Sequence, residues 1–131
     1  MATITLTAEN LESVITTNDT VFVDFWAAWC GPCRAFGPVF EAASEAHDDI
    51  VFAKVDTEDQ QQLAAMFGIT SIPTLVAFRE KVMVYGEAGA LPAPELDKLI
   101  QAISSLDMEQ VHRQVAEAKA AESAGVDTPT R

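Results

Sequence analysis

Val21-Phe22-Val23-Asp24-Phe25-Trp26-Ala27-Ala28-Trp29-Cys30-Gly31-Pro32-Cys33-Arg34 is the stretch on which the reading of this chain turns. Its first six residues are apolar apart from Asp24 and rich in β-branched and aromatic side chains, the composition of a strand buried on both faces. A short loop then leads to two cysteines separated by Gly31 and Pro32. Proline suits the first turn of a helix, where its missing N–H costs nothing. A helix is therefore expected to start at the cysteines and run to about residue 47, carried by Phe36, Val39, Phe40, Ala43 and Ala46. Pro38 falls inside it and is expected to kink it, with Gly37 weakening the same point.

At the start of that helix Cys30 faces unsatisfied N–H groups and the positive end of the helix dipole. Both favour a thiolate, the species that attacks disulfides. A cysteine with a pKa of about 8.5 is only a few per cent ionised at neutral pH, whereas one near 7 is about half ionised. Cys33 lies inside the first turn and is expected to be the more buried sulfur. That asymmetry makes Cys30 the attacking group and Cys33 the one that resolves the mixed disulfide. Two other readings use the same pair. A structural staple across so small a loop contributes only roughly 2 kcal/mol by chain entropy. Half of a zinc site needs two further ligands, and His47 and His112 are far apart without ligand spacing.

Asp24 is the second informative residue, because a carboxylate inside an apolar strand is costly to bury without a partner. Its functional reading is a buried acid of raised pKa that relays protons to or from Cys33. Lys54, in the middle of the apolar run at residues 50–56, is its natural partner if the two strands adjoin. The alternative is that both point to an exposed face or a strand edge.

Outward from this centre, residues 3–6 alternate as a short strand, and Thr7 caps a helix with Leu6 and Leu11 as its staple. Leu11, Val14 and Ile15 share its apolar face, and Asn18-Asp19 close it. Residues 60–67 read as a short helix with Leu63, Met66 and Phe67 inward and Gly68 as its stop. Ile72-Pro73-Thr74 precedes two strands, residues 74–78 and 82–85, and Gly86 and Gly89 suggest a bulge or a close backbone approach. The residues themselves favour an ordinary trans peptide before Pro73. Pro92 and Pro94 open a last helix with Leu96, Leu99, Ile100 and Ile103 as its stripe. The order β-α-β-α-β-α-β-β-α implies a mixed sheet with helices on both faces. Residues 1–106 form this domain. Residues 107–131 form an extension in which Met108, Val111 and Val115 give a marginal helix, with a frayed tail from Ser123.

The 131 residues are 49% hydrophobic, enough for one core, and carry 20 acidic against 8 basic side chains, a net charge of −12. A phosphate backbone is repelled by that charge, so nucleic acid is not an expected partner, and nothing supports binding an anionic membrane surface. The first residues lack a basic region followed by a long apolar run, and no stretch approaches the roughly 18 apolar residues of a membrane span. A cytoplasmic, monomeric protein is expected. In a reducing compartment a close cysteine pair is more often catalytic or metal-binding than structural.

Three motifs in this order, residues 25–34 (FWAAWCGPCR), Lys54-Val55-Asp56 and residues 68–74 (GITSIPT), closely resemble the thioredoxin family, and most of all its actinobacterial members, over about residues 3–105. The resemblance implies a five-stranded mixed sheet flanked by four helices, with the dithiol at the start of the second. It implies catalytic roles for Cys30, Cys33, Asp24 and Lys54. It places Pro73 on the family's cis-proline, which holds an extended substrate segment, and Trp29, Gly31, Pro32, Ile72 and Gly89 on an apolar docking surface around the sulfurs. Pro38 matches the family's helix-kinking proline. The Gly31-Pro32 dipeptide resembles the reductant type rather than the oxidants or isomerases. The implied function is protein-disulfide reduction with no bound cofactor, a redox-active Cys30–Cys33 disulfide, and regeneration by thioredoxin reductase, so that NADPH is used only indirectly. No metal is implied. In one departure, the turn after Phe78 is Arg79-Glu80-Lys81, where many members have a glycine.

Overall fold

The strand that carries Asp24, β2 (Thr20–Trp26), lies at the centre of the sheet because nearly every side chain on it seeks burial: six of its seven residues are buried. In the computed structural model, which describes residues 3–124, it is flanked by β3 (Val51–Asp56) in parallel and β4 (Thr74–Arg79) antiparallel. β1 (Ile4–Thr5) extends the sheet beyond β3, and β5 (Val82–Ala88) closes it beyond β4, in the order β1-β3-β2-β4-β5. This is the five-stranded mixed sheet expected. The parallel pairs need crossovers, which helices supply, and the antiparallel pair β4–β5 needs only a tight turn.

The two-residue period of the strands sorts their side chains between two cores. Phe22, Phe52, Leu75 and Ala77 meet α2 (Gly31–Ala46) and α4 (Ala93–Ser104) through Phe36, Phe40, Leu96, Ile100 and Ile103. Val21, Val23, Phe25, Val55, Val76 and Phe78 meet α1 (Leu11–Thr17) and α3 (Gln61–Met66) on the other face. By the same period Asp24 and Lys54 fall on the α2 face. α2 continues through Pro38, which donates no bond to the preceding turn.

Several local expectations change. The bonded first turn of α1 starts at Thr7, whose carbonyl accepts from the Leu11 N–H at 3.0 Å, while the Asn10 Oδ1 accepts from the Thr7 N–H at 2.7 Å. Regular helix begins only at Leu11. Met66, expected inward, is 66% exposed, because a six-residue helix has one inner face and Leu63 and Ala64 occupy it. β5 runs three residues past Tyr85, and its bulge lies opposite Ala77/Phe78 rather than at Gly86, which pairs in register with Val76. The β4–β5 turn keeps a hairpin shape without glycine: Glu80 and Lys81 both take positive φ (49° and 73°), and the Glu80 N–H donates to the Asp19 carbonyl at 2.8 Å.

The largest difference is in the extension. A fifth helix, α5 (Met108–Ala124), spans 17 residues and takes in Ser123, which was expected to be frayed. It rests on the domain: Met108 is buried, Val111 and Val115 are half-buried, and His112 Nε2 lies 2.7 Å from Glu80 Oε1. Its thin apolar stripe faces Leu106 and the first half of β5. The rest of the tail expectation lies outside the described residues. Among the described residues, no helix is long and apolar enough to cross a membrane.

Candidate functional site

The loop after β2 turns the chain into α2 at Cys30, which takes the N-cap position with extended backbone angles (φ −89°, ψ 115°). Cys30 and Cys33 are joined as a disulfide, their Cα atoms 5.2 Å apart. The Cys33 N–H donates to the Cys30 Sγ at 3.2 Å, so a helix-start donor that lacks an intrahelical partner is aimed at that sulfur. Gly31 and Pro32, between them, are exposed.

Ile72–Pro73 is a cis peptide, contrary to the trans peptide favoured by the bare residues and in line with the resemblance. The local sequence does not reveal it, because the isomer is selected by what the turn packs against. Here the Ile72 carbonyl oxygen lies 3.7 Å from the Cys30 Sγ. The Pro73 carbonyl accepts from the Gly89 N–H at 2.8 Å, and Gly89 has φ +120°, a conformation open to glycine and costly to other residues. Gly89 is thereby fastened to the turn that faces the sulfurs.

Ala27 is buried against both cysteines, with Trp26 and Ile72 packed alongside. This surround corrects one expectation. Cys30 and Cys33 are equally hidden, each 4% exposed, because the 72–73 turn covers Cys30 as the helix covers Cys33. What distinguishes the two sulfurs is the N–H aimed at Cys30.

Trp29 projects from the loop, 67% exposed, and its Nε1–H donates to Glu58 Oε2 at 3.1 Å. Glu58 went unnoticed in the sequence, 29 residues away from Trp29. The available signal is topological: Glu58 follows β3, the parallel neighbour of β2, and loops at the carboxyl ends of adjacent parallel strands converge. Arg34 Nη1 donates to the Ala28 carbonyl at 3.0 Å, closing the loop from the helix side.

Asp24 and Lys54 are direct partners in the β2–β3 register. Asp24 is wholly buried, and neither carboxylate oxygen has a hydrogen-bond partner in the protein. Burial pushes its pKa up from 3.8 to about 6, against the smaller downward pull of Lys54. The ammonium of Lys54 stands over the Trp26 ring, 5.0 Å from its centroid, a cation–π arrangement on the same face. Gly37 of α2 faces that ammonium: a Cβ at Gly37 would lie 4.0 Å from Lys54 Nζ. The two histidines do not join the cysteines, since His47 caps α2 beside Phe52 and His112 meets Glu80. Among the described residues no group of three or more His, Cys, Asp or Glu is placed to hold a metal ion.

The family profile described as Thioredoxin matches residues 2–105. The chain belongs to the thioredoxin family. It is 52% identical over 119 residues to a putative thioredoxin 2 of Streptomyces coelicolor, spanning 91% of this chain and 89% of that one. It is 43% identical over 97 residues to a thioredoxin of Alicyclobacillus acidocaldarius, covering 73% of this chain and 92% of the other. Among solved structures, a variant thioredoxin of Halobacterium salinarum superposes with a TM-score of 0.75 at 34% identity, over 80% of this chain and 93% of its own. Thioredoxins are thiol-disulfide oxidoreductases, and the Cys-X-X-Cys pair of that chemistry is in place here. The profile ends before α5, whereas the match to the Streptomyces relative is longer than the profile.

Proposed function

We propose that this thioredoxin-family protein is a protein-disulfide reductase. The observation that carries the reading is the Cys33 N–H aimed at the Cys30 Sγ from the first turn of α2. A donor and a helix N-terminus together favour the thiolate of Cys30 in the reduced protein. That thiolate attacks one sulfur of a substrate disulfide, forming a Cys30–substrate disulfide and releasing the other substrate sulfur as a thiolate. Asp24, poised near neutrality, accepts the proton of the Cys33 thiol. The Cys33 thiolate then attacks the Cys30 sulfur, the second substrate sulfur leaves, and the two electrons of the dithiol have passed to the substrate. Lys54 holds a positive charge on the Asp24 face and favours the ionised carboxylate, the form able to take the proton.

The backbone of the Ile72–Pro73 turn offers hydrogen-bonding groups to an extended substrate segment beside Cys30, and Trp29, Gly31, Pro32 and Gly89 complete the docking surface. The dithiol is restored by thioredoxin reductase with electrons from NADPH, and the protein works as a cytoplasmic monomer. The decisive experiment is insulin reduction driven by dithiothreitol, and then by thioredoxin reductase with NADPH. Cys33→Ser accumulates a mixed disulfide with the substrate and Cys30→Ser is inert. Full insulin-reducing activity in both single variants would refute the mechanism.

A further inference from the structure

Gly86 lies in the middle of β5, where glycine weakens a strand and contributes no packing. None of the usual reasons for it applies. Its φ is not in the left-handed region, the bulge is elsewhere, and an added Cβ would meet only the Met83 Cε and a Val76 methyl at 3.9 Å, ordinary contact. What the bare glycine does is leave open a cleft of about 230 Å³ between β5 and the loop at residues 67–71. Val76 and Gly86 line it, and Phe67 and Ile69 are among its apolar walls. Met83, 51% exposed, adds a flexible thioether wall, the side chain suited to surfaces that accept varied apolar partners.

The cleft is not isolated. Ile69, Thr70 and Ser71 line it and also line a second hollow of about 170 Å³ that contains Trp29 and Ile72. The two hollows therefore border the same loop, one on its Trp29 and Ile72 side and the other over Gly86. Val76 lies four residues beyond Ile72, about 13 Å along an extended strand, which matches about four residues of an extended bound chain.

Resting on the reductase reading, we infer that the cleft over Gly86 is a second contact point for protein substrates. It takes an apolar side chain about four residues from the cystine. The cleft acts on recognition and leaves the sulfur chemistry alone.

The test compares wild type with Gly86→Val, which fills the cleft with a residue favourable in a strand. Two disulfide peptides are used, one with Leu four residues from the cystine and one with Ser there. Dithiothreitol is the reductant, so that no reductase docking intervenes. Wild type turns over the Leu peptide about tenfold more efficiently, a size typical of one apolar side chain in a pocket. Gly86→Val abolishes that preference while its reaction with the small disulfide dithiobis-nitrobenzoate and its thermal midpoint are maintained or raised. Gly86→Ala, which makes only ordinary contacts, gives an intermediate preference and guards against misfolding of the larger variant. Equal turnover of the two peptides by wild type, or an undiminished preference in both variants, would overturn the cleft. Failure of wild type to reduce insulin or dithiobis-nitrobenzoate at all would instead overturn the reductase reading.

Discussion

Replacing Asp24 with asparagine removes a charge from the interior, and its effect on stability has a definite sign and pH window. In the native protein the carboxyl holds its proton up to about pH 6, whereas its ordinary value is 3.8. Between those values the folded state binds a proton that the unfolded state has lost, so stability falls as pH rises through the window and levels off above it. At about 1.4 kcal/mol per tenfold change in proton affinity, ionising Asp24 costs the native state about 3 kcal/mol at neutral pH. Asp24→Asn is neutral throughout and escapes that cost. Near pH 4 the two oxidised proteins are expected to have similar stability, and by pH 7.5 the variant is the more stable by about 3 kcal/mol. Urea unfolding followed by far-ultraviolet circular dichroism measures this, and a slope of about 1–3 kcal/mol per molar converts the gain to a midpoint shift of roughly 1–3 M. The variant-minus-wild-type difference cancels the other carboxylates, which the two proteins share. A difference independent of pH, or one that grows as pH falls, would refute the assignment of a raised pKa to a desolvated Asp24. Slower insulin reduction by the stabilised variant would connect this standing cost to proton transfer.

Three further outcomes follow from other parts of the structure. Lys81→Gly relieves a positive φ of 73° and is expected to stabilise by about 1 kcal/mol, raising the thermal midpoint by roughly 4 °C; an unchanged midpoint would contradict it. Arg79, 9% exposed, donates to the Ile103 carbonyl at 2.7 Å and the Ser104 carbonyl at 3.3 Å at the end of α4. Arg79→Met leaves those carbonyls without this donor and should cost on the order of 2–3 kcal/mol in chemical unfolding, and a loss below 1 kcal/mol would show that other donors replace it. Ending the chain at Leu106 removes the packing of Met108, Val111 and Val115 and should cost about 2 kcal/mol while insulin turnover is retained. Loss of turnover at full stability would instead place α5 in the chemistry.

The chemistry of the site was legible in residues 21–34 because it depends on local order: strand, loop, two cysteines and a helix start. Asp24 announced itself as an oddity in an apolar run, and its register partner Lys54 stood out for the same reason. The isomer before Pro73 and the hydrogen bond from Trp29 to Glu58 were less accessible. Each depends on segments that approach only after the sheet assembles. The resemblance supplied the cis-proline where the bare residues pointed the other way. Met66 misled the inward reading because a short helix buries only what its neighbours have room to cover.

The alternation of apolar residues and the positions of proline and glycine were enough to specify the strands, the helices and the dithiol at a helix N-terminus, since these follow from short-range sterics and hydrogen bonding. Packing decided the rest. Equal shielding of the two sulfurs arises because the 72–73 turn folds over Cys30. The high pKa of Asp24 arises because two strands and a helix exclude water from it while offering no hydrogen bond. The seating of α5 is also tertiary: a helix with so thin an apolar stripe is marginal alone and gains its contacts only once Leu106, β5 and the Glu80 turn are in place.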